Sequence, residues 1–270
     1  MLIVCNGAAK SGSTWLYNIV DRLLPCEWPP KDVLTSSRKH PTIKPVRLAD
    51  YLALGHHHHR RVITKTHYGR AEQRSLLLAD PAVRVIDMER NLYDVIVSTY
   101  YDAKGRNGFR GSFARFYWYE GRTQADYLLR YHRLWGDGHP QVCVTSFEAL
   151  KADFAGEVAK IAAFLGIEVT PARVAEIEQE TSLHTLRDRY KDEPLYADAK
   201  NPFFRKGEVG DWKNHFDDAM LADIRRIERR GLPRHDWREL WNGVQRRVYA
   251  RLPALSPYPP KPAAPPARQL

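Results

Sequence analysis

An α/β fold, with a central parallel sheet flanked by helices, is predicted for this chain of 270 residues. Three observations carry the prediction. Short apolar runs alternate with helical patterns along the first two thirds of the chain. The runs end in polar or charged residues rather than in hairpin turns. The first run passes through a turn into a helix, and such strand–helix alternation suggests a parallel sheet covered on both faces.

The first run, Leu2 to Cys5, is a strand, and Thr14 to Leu24 follows as a helix with Trp15, Leu16, Ile19, Val20 and Leu23 at helical spacing. Arg61-Val62-Ile63-Thr64 is the second strand and ends at Lys65-Thr66-His67. Val83 to Met88 is the third and ends at Glu89-Arg90-Asn91; Val142 to Thr145 is the fourth and ends at Ser146. A helix is expected from Asn91, which places Asp94 and Ser98 one turn apart on one face. Phe113 to Trp135 is a long aromatic-rich helical region, and Lys151 to Leu165 and Pro171 to Glu180 are further helices. Residues 182 to 204 contain Pro194 and Pro202 and are expected to form a loop acting as a lid. Seven prolines crowd the stretch from Pro253 to the end. The expectation is one domain over 1–252 and a flexible, proline-rich tail over 253–270.

A formal charge of +10 favours an anionic partner: nucleic acid, an acidic membrane surface or a multiply phosphorylated nucleotide. The three cysteines, Cys5, Cys26 and Cys143, have no paired spacing and no metal-ligand pattern, which fits a reducing cytoplasm. No apolar run approaches the length of a membrane span, so a soluble protein is expected.

Gly7-Ala8-Ala9-Lys10-Ser11-Gly12-Ser13-Thr14 lies where the first strand turns into the first helix, the usual place to hold a phosphate. It follows the common phosphate-loop pattern except that Ser13 stands where lysine would reach a β/γ-phosphate pair, and the lysine is upstream at Lys10. The fold expected is therefore P-loop-like, a three-layer sandwich, with a preference for a 5′-phosphate over a triphosphate. In such sheets ligands bind beyond the carboxyl ends of the strands. Lys10, Lys65, His67 and Arg90 all stand at such ends. Far downstream, Arg205-Lys206-Gly207-Glu208-Val209-Gly210-Asp211-Trp212 pairs a basic clamp with glycines that let backbone approach an anion.

These segments resemble the cytosolic sulfotransferase family, in order and over about residues 3 to 216. That family moves a sulfuryl group from 3′-phosphoadenosine 5′-phosphosulfate to a hydroxyl or amine. Lys10 to Trp15 is similar to its 5′-phosphosulfate loop, Arg90 through Asp94 to Ser98 to its 3′-phosphate motif, and Lys65-Thr66-His67 to the segment carrying its base. The resemblance implies that Lys10, Ser11, Gly12, Ser13 and Thr14 hold the 5′ end. It implies that Arg90, Ser98, Arg205, Lys206 and Gly207 cage the 3′-phosphate. Trp15 would stack on adenine and Thr181 would meet its amino group. Phe147 and Leu183 also belong to the implied nucleotide site, although they stand where the family has a tyrosine and an aromatic. His67 would take the acceptor proton, Lys10 would neutralise the leaving phosphate oxygen and Lys65 the sulfuryl oxygens, with no metal and adenosine 3′,5′-bisphosphate as product.

Asp217-Asp218 replaces the Thr-Val of the family's dimer motif, so dimerisation through that segment is not expected. The short lead before the first strand implies an open acceptor site, for a small molecule, glycan or other natural product; Tyr68, Tyr100, Phe109 and Phe113 are candidate walls, each weighed against plain core packing. Two other classes compete. A small-molecule or nucleoside kinase would need a Mg²⁺ carboxylate, for which only Asp87 is placed. A nucleic-acid-binding protein would use Trp15 and the clustered arginines, with steep salt dependence. His56 to His59 precede the second strand and are expected in a solvated loop, away from the phosphate site, with adventitious metal affinity only.

Overall fold

In the computed structural model, which describes residues 1–35, 39–192, 204–233 and 235–258, the four expected strands form one parallel sheet. They are β1 (Leu2–Gly7), β2 (Val62–Lys65), β3 (Val83–Glu89) and β4 (Val142–Ser146), in the order β2-β1-β3-β4. The register pairs Cys5 with Lys65 and with Ile86, so the carboxyl ends of β2, β1 and β3 lie side by side. Strand β1 is central and its neighbours lead away in opposite directions, which makes its end the crevice where the connections part.

Side chains alternate across the sheet. Leu2, Val4, Val62, Val83 and Val85 face one core, and Ile3, Cys5, Ile63, Ile86, Met88 and Cys143 face the other. The first core is covered by α4 (Leu92–Arg106), α5 (Phe113–Phe116), α6 (Arg122–Trp135) and α11 (Asp218–Arg230), with α2 (Leu48–Leu54) and α3 (Ala71–Leu78) at its edge. The second is covered by α1 (Ser13–Leu23), α8 (Phe154–Phe164) and α9 (Pro171–Glu180). The short α7 (Phe147–Ala152) leaves β4, α10 (Leu183–Tyr190) follows α9, and α12 (Trp237–Arg251) lies last. The predicted three-layer arrangement is the one observed.

Side-chain caps fix many helix starts. Asn91 accepts from the N–H groups of Tyr93 and Asp94, Ser146 from Ala149 and Asp153 from Gly156. One such cap overturns part of the loop expected over 182–204. Ser182 accepts the N–H of Thr185 and starts α10, whose Leu186 and Tyr190 are buried. Residues 193–203 of that expected lid lie outside the described residues.

The long helical region is also interrupted. Tyr117–Gly121 is a π-helical segment between α5 and α6, and its extra residue delivers Arg122 into the interior. There Arg122 donates to Asp223, Asp236 and Glu239, joining α6 to α11 and to α12 and its cap.

The first residues of the expected tail, 253–258, are packed on the domain. Pro253–Leu255 forms a turn of 3-10 helix, the carbonyl of Pro257 accepts the N–H of Arg110, and Tyr258 packs edge-on against Phe109. An aromatic ring and one backbone hydrogen bond hold this first part on the domain, and 259–270 lie outside the described residues. Asp217 caps α11 through the N–H of Met220, a local reason for the Asp217-Asp218 pair.

His56–His58 forms a 3-10 turn at the end of the sheet opposite the crevice. Contrary to the expected solvated loop, His57 is wholly buried, and its Nε2 lies 2.7 Å from Asp80 Oδ2 while that of His58 lies 2.9 Å away. The carboxylate ties this loop to the turn before β3. No helix among the described residues is long and apolar enough to cross a membrane.

Candidate functional site

A cavity of about 450 Å³ opens at the carboxyl ends of β1, β2 and β3. Its floor is the turn from β1 into α1. Lys10 adopts φ 71°, the one non-glycine residue with positive φ among those described, and Gly12 adopts φ 106°. A Cβ at Gly12 would lie 3.1 Å from Phe147, so glycine answers both to the left-handed backbone and to the close ring. Helix α1 has no side-chain cap at Gly12, and Gly12, Ser13 and Thr14 line the cavity. A helix start of this kind suits an anionic oxygen. Ser11 is the exception to the expected set: it is fully buried, does not line the cavity, and donates its hydroxyl to the carbonyl of Ala8. Its part is to hold the turn.

On the β2 side, His67 Nδ1 lies 2.6 Å from the carbonyl oxygen of Gly7. A carbonyl only accepts, so Nδ1 carries the proton and Nε2 presents a lone pair. That Nε2 lies 3.2 Å from Lys65 Nζ. The ring opens into the cavity but sits deep among protein atoms. Lost hydration, then the charges of Lys65, Lys10 and Arg106, hold its pKa well below the usual imidazole range. Burial likewise lowers Lys10 and Lys65, each to about 8. Lys10 Nζ is 3.0 Å from Asp102 of α4, which opposes that shift.

At the other end, Arg90 leaves β3 and lies over the Phe147 ring at 4.2 Å, and its Nη2 donates to the carbonyl of Glu208. Its Nε is buried without a partner. Ser98 of α4 lines the same wall. Arg205, Lys206 and Gly207 close it, with Gly207 at φ 65°. Two aspartates shape this clamp. Asp94 accepts the N–H groups of Gly210 and Trp212, and Asp211 pairs with Arg205 at 2.5 Å and Lys206 at 2.8 Å. The sequence spacing puts Asp94 and Ser98 on one face of α4; the fold turns the carboxylate to the loop and the hydroxyl to the cavity.

Between these ends is an apolar slot. Trp15 meets Phe147 edge-on at 5.4 Å and stacks on Phe154 at 6.1 Å, and Leu183 and Thr181 complete the lining. The Thr181 hydroxyl donates to the carbonyl of Ile177 at 2.7 Å, which leaves its oxygen to accept.

His40, Thr42, Arg106, Lys151, Glu178 and Phe204 also line the cavity and were not foreseen. His40 and Thr42 come from an aperiodic stretch whose Leu34–Ile43 bridge and Lys65 N–H to Pro41 carbonyl bond are tertiary. Arg106 stands two turns beyond Ser98 on α4, where the spacing of Asp94 and Ser98, carried on along the helix, points to it. Of the two readings of Tyr68, Tyr100, Phe109 and Phe113, core packing is the one observed: all four are buried and do not line the cavity. Asp87 is buried too, bonded to Asn6 and Tyr131, and does not line the cavity. Among the described residues, the metal-ligating types that converge are His57, His58 and Asp80, at the far end of the sheet.

The sulfotransferase domain model matches residues 2–235, nearly the whole described chain. The chain belongs to the sulfotransferase family. Sulfotransferase 1E1 of Rattus norvegicus is 28% identical over 226 residues, 78% of this chain and 76% of that protein. The Bos taurus sulfotransferase 1E1 is 28% identical over 151 residues, 51% of this chain, and the chain spans about half, 50%, of that relative's length. Among solved structures, mouse sulfotransferase SULT7A1 complexed with PAP superimposes with a TM-score of 0.64 at 22% identity, covering 92% of this chain and 88% of that one. At that identity the likeness establishes the sulfotransferase fold, a helix-covered parallel sheet.

Proposed function

We propose that this sulfotransferase moves a sulfuryl group from 3′-phosphoadenosine 5′-phosphosulfate to a hydroxyl or amine, with His67 as general base. The observation that carries the reading is the His67 tautomer: Nδ1–H is given to Gly7, and the basic Nε2 faces the cavity beside Lys65. The relative solved with PAP in place supports the same nucleotide here, because the cavity has a cationic wall for each of two separated phosphates.

The 3′-phosphate fits the wall of Arg90, Ser98, Arg205, Lys206 and Gly207, where the buried Nε of Arg90 lacks an acceptor. The 5′ end fits the α1 start with Lys10, Gly12, Ser13 and Thr14. Adenine enters the slot of Trp15, Phe147 and Leu183, its amino group donating to the Thr181 oxygen.

For the transfer, His67 Nε2 accepts the proton of the acceptor hydroxyl as the new O–S bond forms. The S–O bond to the 5′-phosphate breaks, and Lys10 exchanges Asp102 for the charge that appears on the leaving oxygen. Lys65 turns from His67 to the sulfuryl oxygens. Proton, sulfuryl group and leaving phosphate are thus each accounted for, and positioning with charge stabilisation supplies the rate. The acceptor is a small molecule, glycan or other natural product entering past His40, Thr42 and Arg106.

Calorimetric titration tests the reading. Adenosine 3′,5′-bisphosphate should bind tightly without metal, and adenosine 5′-monophosphate at least about tenfold more weakly for want of charge-assisted bonds to the 3′-phosphate. Preference for ATP with Mg²⁺ would instead establish a kinase.

A further inference from the structure

Helix α12 is amphipathic but docked inside out. Asn242 is its one buried residue, and its Nδ2 donates to the carbonyls of Trp118 and Tyr119. Glu239 on the same edge accepts from Arg122, and Arg246 lies over Tyr119. The polar edge therefore holds the helix to the domain. The apolar edge faces out: Trp237, Leu240, Trp241, Val244 and Val248 follow one another at helical spacing, and Leu252 and Leu255 continue the stripe. Trp237 is 66% exposed, Leu240 60% and Trp241 57%. A run of large apolar side chains about 22 Å long, from 15 residues at 1.5 Å each, is a contact surface and not an ordinary scatter of exposed residues.

The charges beside the stripe have one sign. From Arg225 to Tyr258 the sequence has nine arginines and three carboxylates. All three carboxylates are engaged inward, Glu228 by Tyr93 and Asp236 and Glu239 by Arg122. Arg247 and Arg251 flank the apolar edge in the open. A second copy packed about a twofold axis would bring these arginines against themselves.

We infer that α12 seats this protein on an anionic lipid bilayer. Trp237, Trp241 and Leu240 enter the headgroup boundary while Arg247 and Arg251 meet lipid phosphates. Tryptophan and arginine suit those two layers, and combined apolar burial and charge attraction give reversible binding in the plane of the interface.

Co-sedimentation of the full chain with phosphatidylcholine vesicles, with and without phosphatidylglycerol, tests this. The protein should pellet with the mixed vesicles, remain in solution with phosphatidylcholine alone, and be released by high salt. The double variant W237S/W241S should lose about tenfold or more in partitioning, by removal of the apolar anchor. Its melting temperature and affinity for adenosine 3′,5′-bisphosphate should be unchanged, since neither tryptophan lines the cavity. The R247E/R251E variant keeps the stripe and should lose the preference for phosphatidylglycerol. No enrichment on anionic vesicles, or full binding by W237S/W241S, would overturn the inference. So would a solution dimer that ignores vesicles and separates in W237S/W241S, which would make the face a contact between copies.

Discussion

Lys10 Nζ is held 3.0 Å from Asp102 Oδ1, and Asp102 also pairs with Arg106 one turn further along α4. The lysine proposed to neutralise a leaving phosphate thus rests on an internal carboxylate. Any anion that recruits Lys10 must compete with that carboxylate and feel its repulsion.

Asp102→Asn is therefore expected to tighten adenosine 3′,5′-bisphosphate binding several-fold near pH 6, where wild-type Lys10 is charged and the loss of the support Asp102 gives its proton matters least. A gain of about 1 kcal/mol, the scale of one partly buried ion pair, corresponds to roughly fivefold. Calorimetry on the wild type and variant reads it directly; weaker binding by the variant would mean that Asp102 positions Lys10 and does not compete for it.

His67→Ala should abolish nearly all turnover, a loss of about 10² to 10⁴, while leaving nucleotide affinity within a factor of two. Turnover with a panel of acceptors, followed by the mass of the transferred group, decides it. Retained turnover would remove His67 from the mechanism.

The pH profile follows from two ammonium groups. With Lys10 and Lys65 each lowered to about 8 by burial, their charge is complete below pH 7 and fades as pH rises past 8. Turnover should decline on that alkaline limb, and Lys65→Arg should move part of the decline upward because guanidinium keeps its proton. An unchanged limb in this variant would assign the decline elsewhere.

Arg122 gathers Asp223, Asp236 and Glu239 in a setting where it is 1% exposed. Arg122→Ala leaves Asp223 and Asp236 with only the more exposed Arg226, and Glu239 with the distant Arg246, and should destabilise by about 3 kcal/mol in urea unfolding. Arg122→Met with Asp223→Asn and Asp236→Asn should recover much of that loss, because the uncompensated charge is what costs most.

Asp87 carries the opposite kind of electrostatic cost. Burial raises its carboxyl to about 7, although Tyr131 and Asn6 donate to it. A folded-state value above the unfolded one means the native protein holds the proton longer. Stability from this group is then fullest in acid and falls by about 1.4 kcal/mol per pH unit as pH rises toward 7. Asp87→Asn should gain on the wild type between pH 5 and pH 7.5 in thermal or urea melts, and a pH-independent difference would rule this out.

Much of this was legible because strand and helix periods are local properties. Leu2 to Cys5 and Val83 to Met88 read as buried strands, and both faces of each were indeed covered. The turn at Lys10 to Thr14 and the glycines at 12 and 207 were legible because backbone shape there demands them. Ser182 carried a cap signal that the prolines further on obscured, and α10 was lost to a loop.

The sequence by itself determined the alternating α/β pattern, the phosphate turn and the identities of Lys10, Lys65, His67 and Arg90, since each stands at the end of a locally readable strand. Tertiary structure alone decided the strand order β2-β1-β3-β4, which sets those ends side by side. It also decided that Asp102 would face Lys10, that Ser11 would turn inward, and that His40 would join the cavity. Most tellingly, it decided that α12 would dock by its polar edge. Helical periodicity locates an apolar stripe, but only the buried partner of Asn242 determines which way the stripe faces.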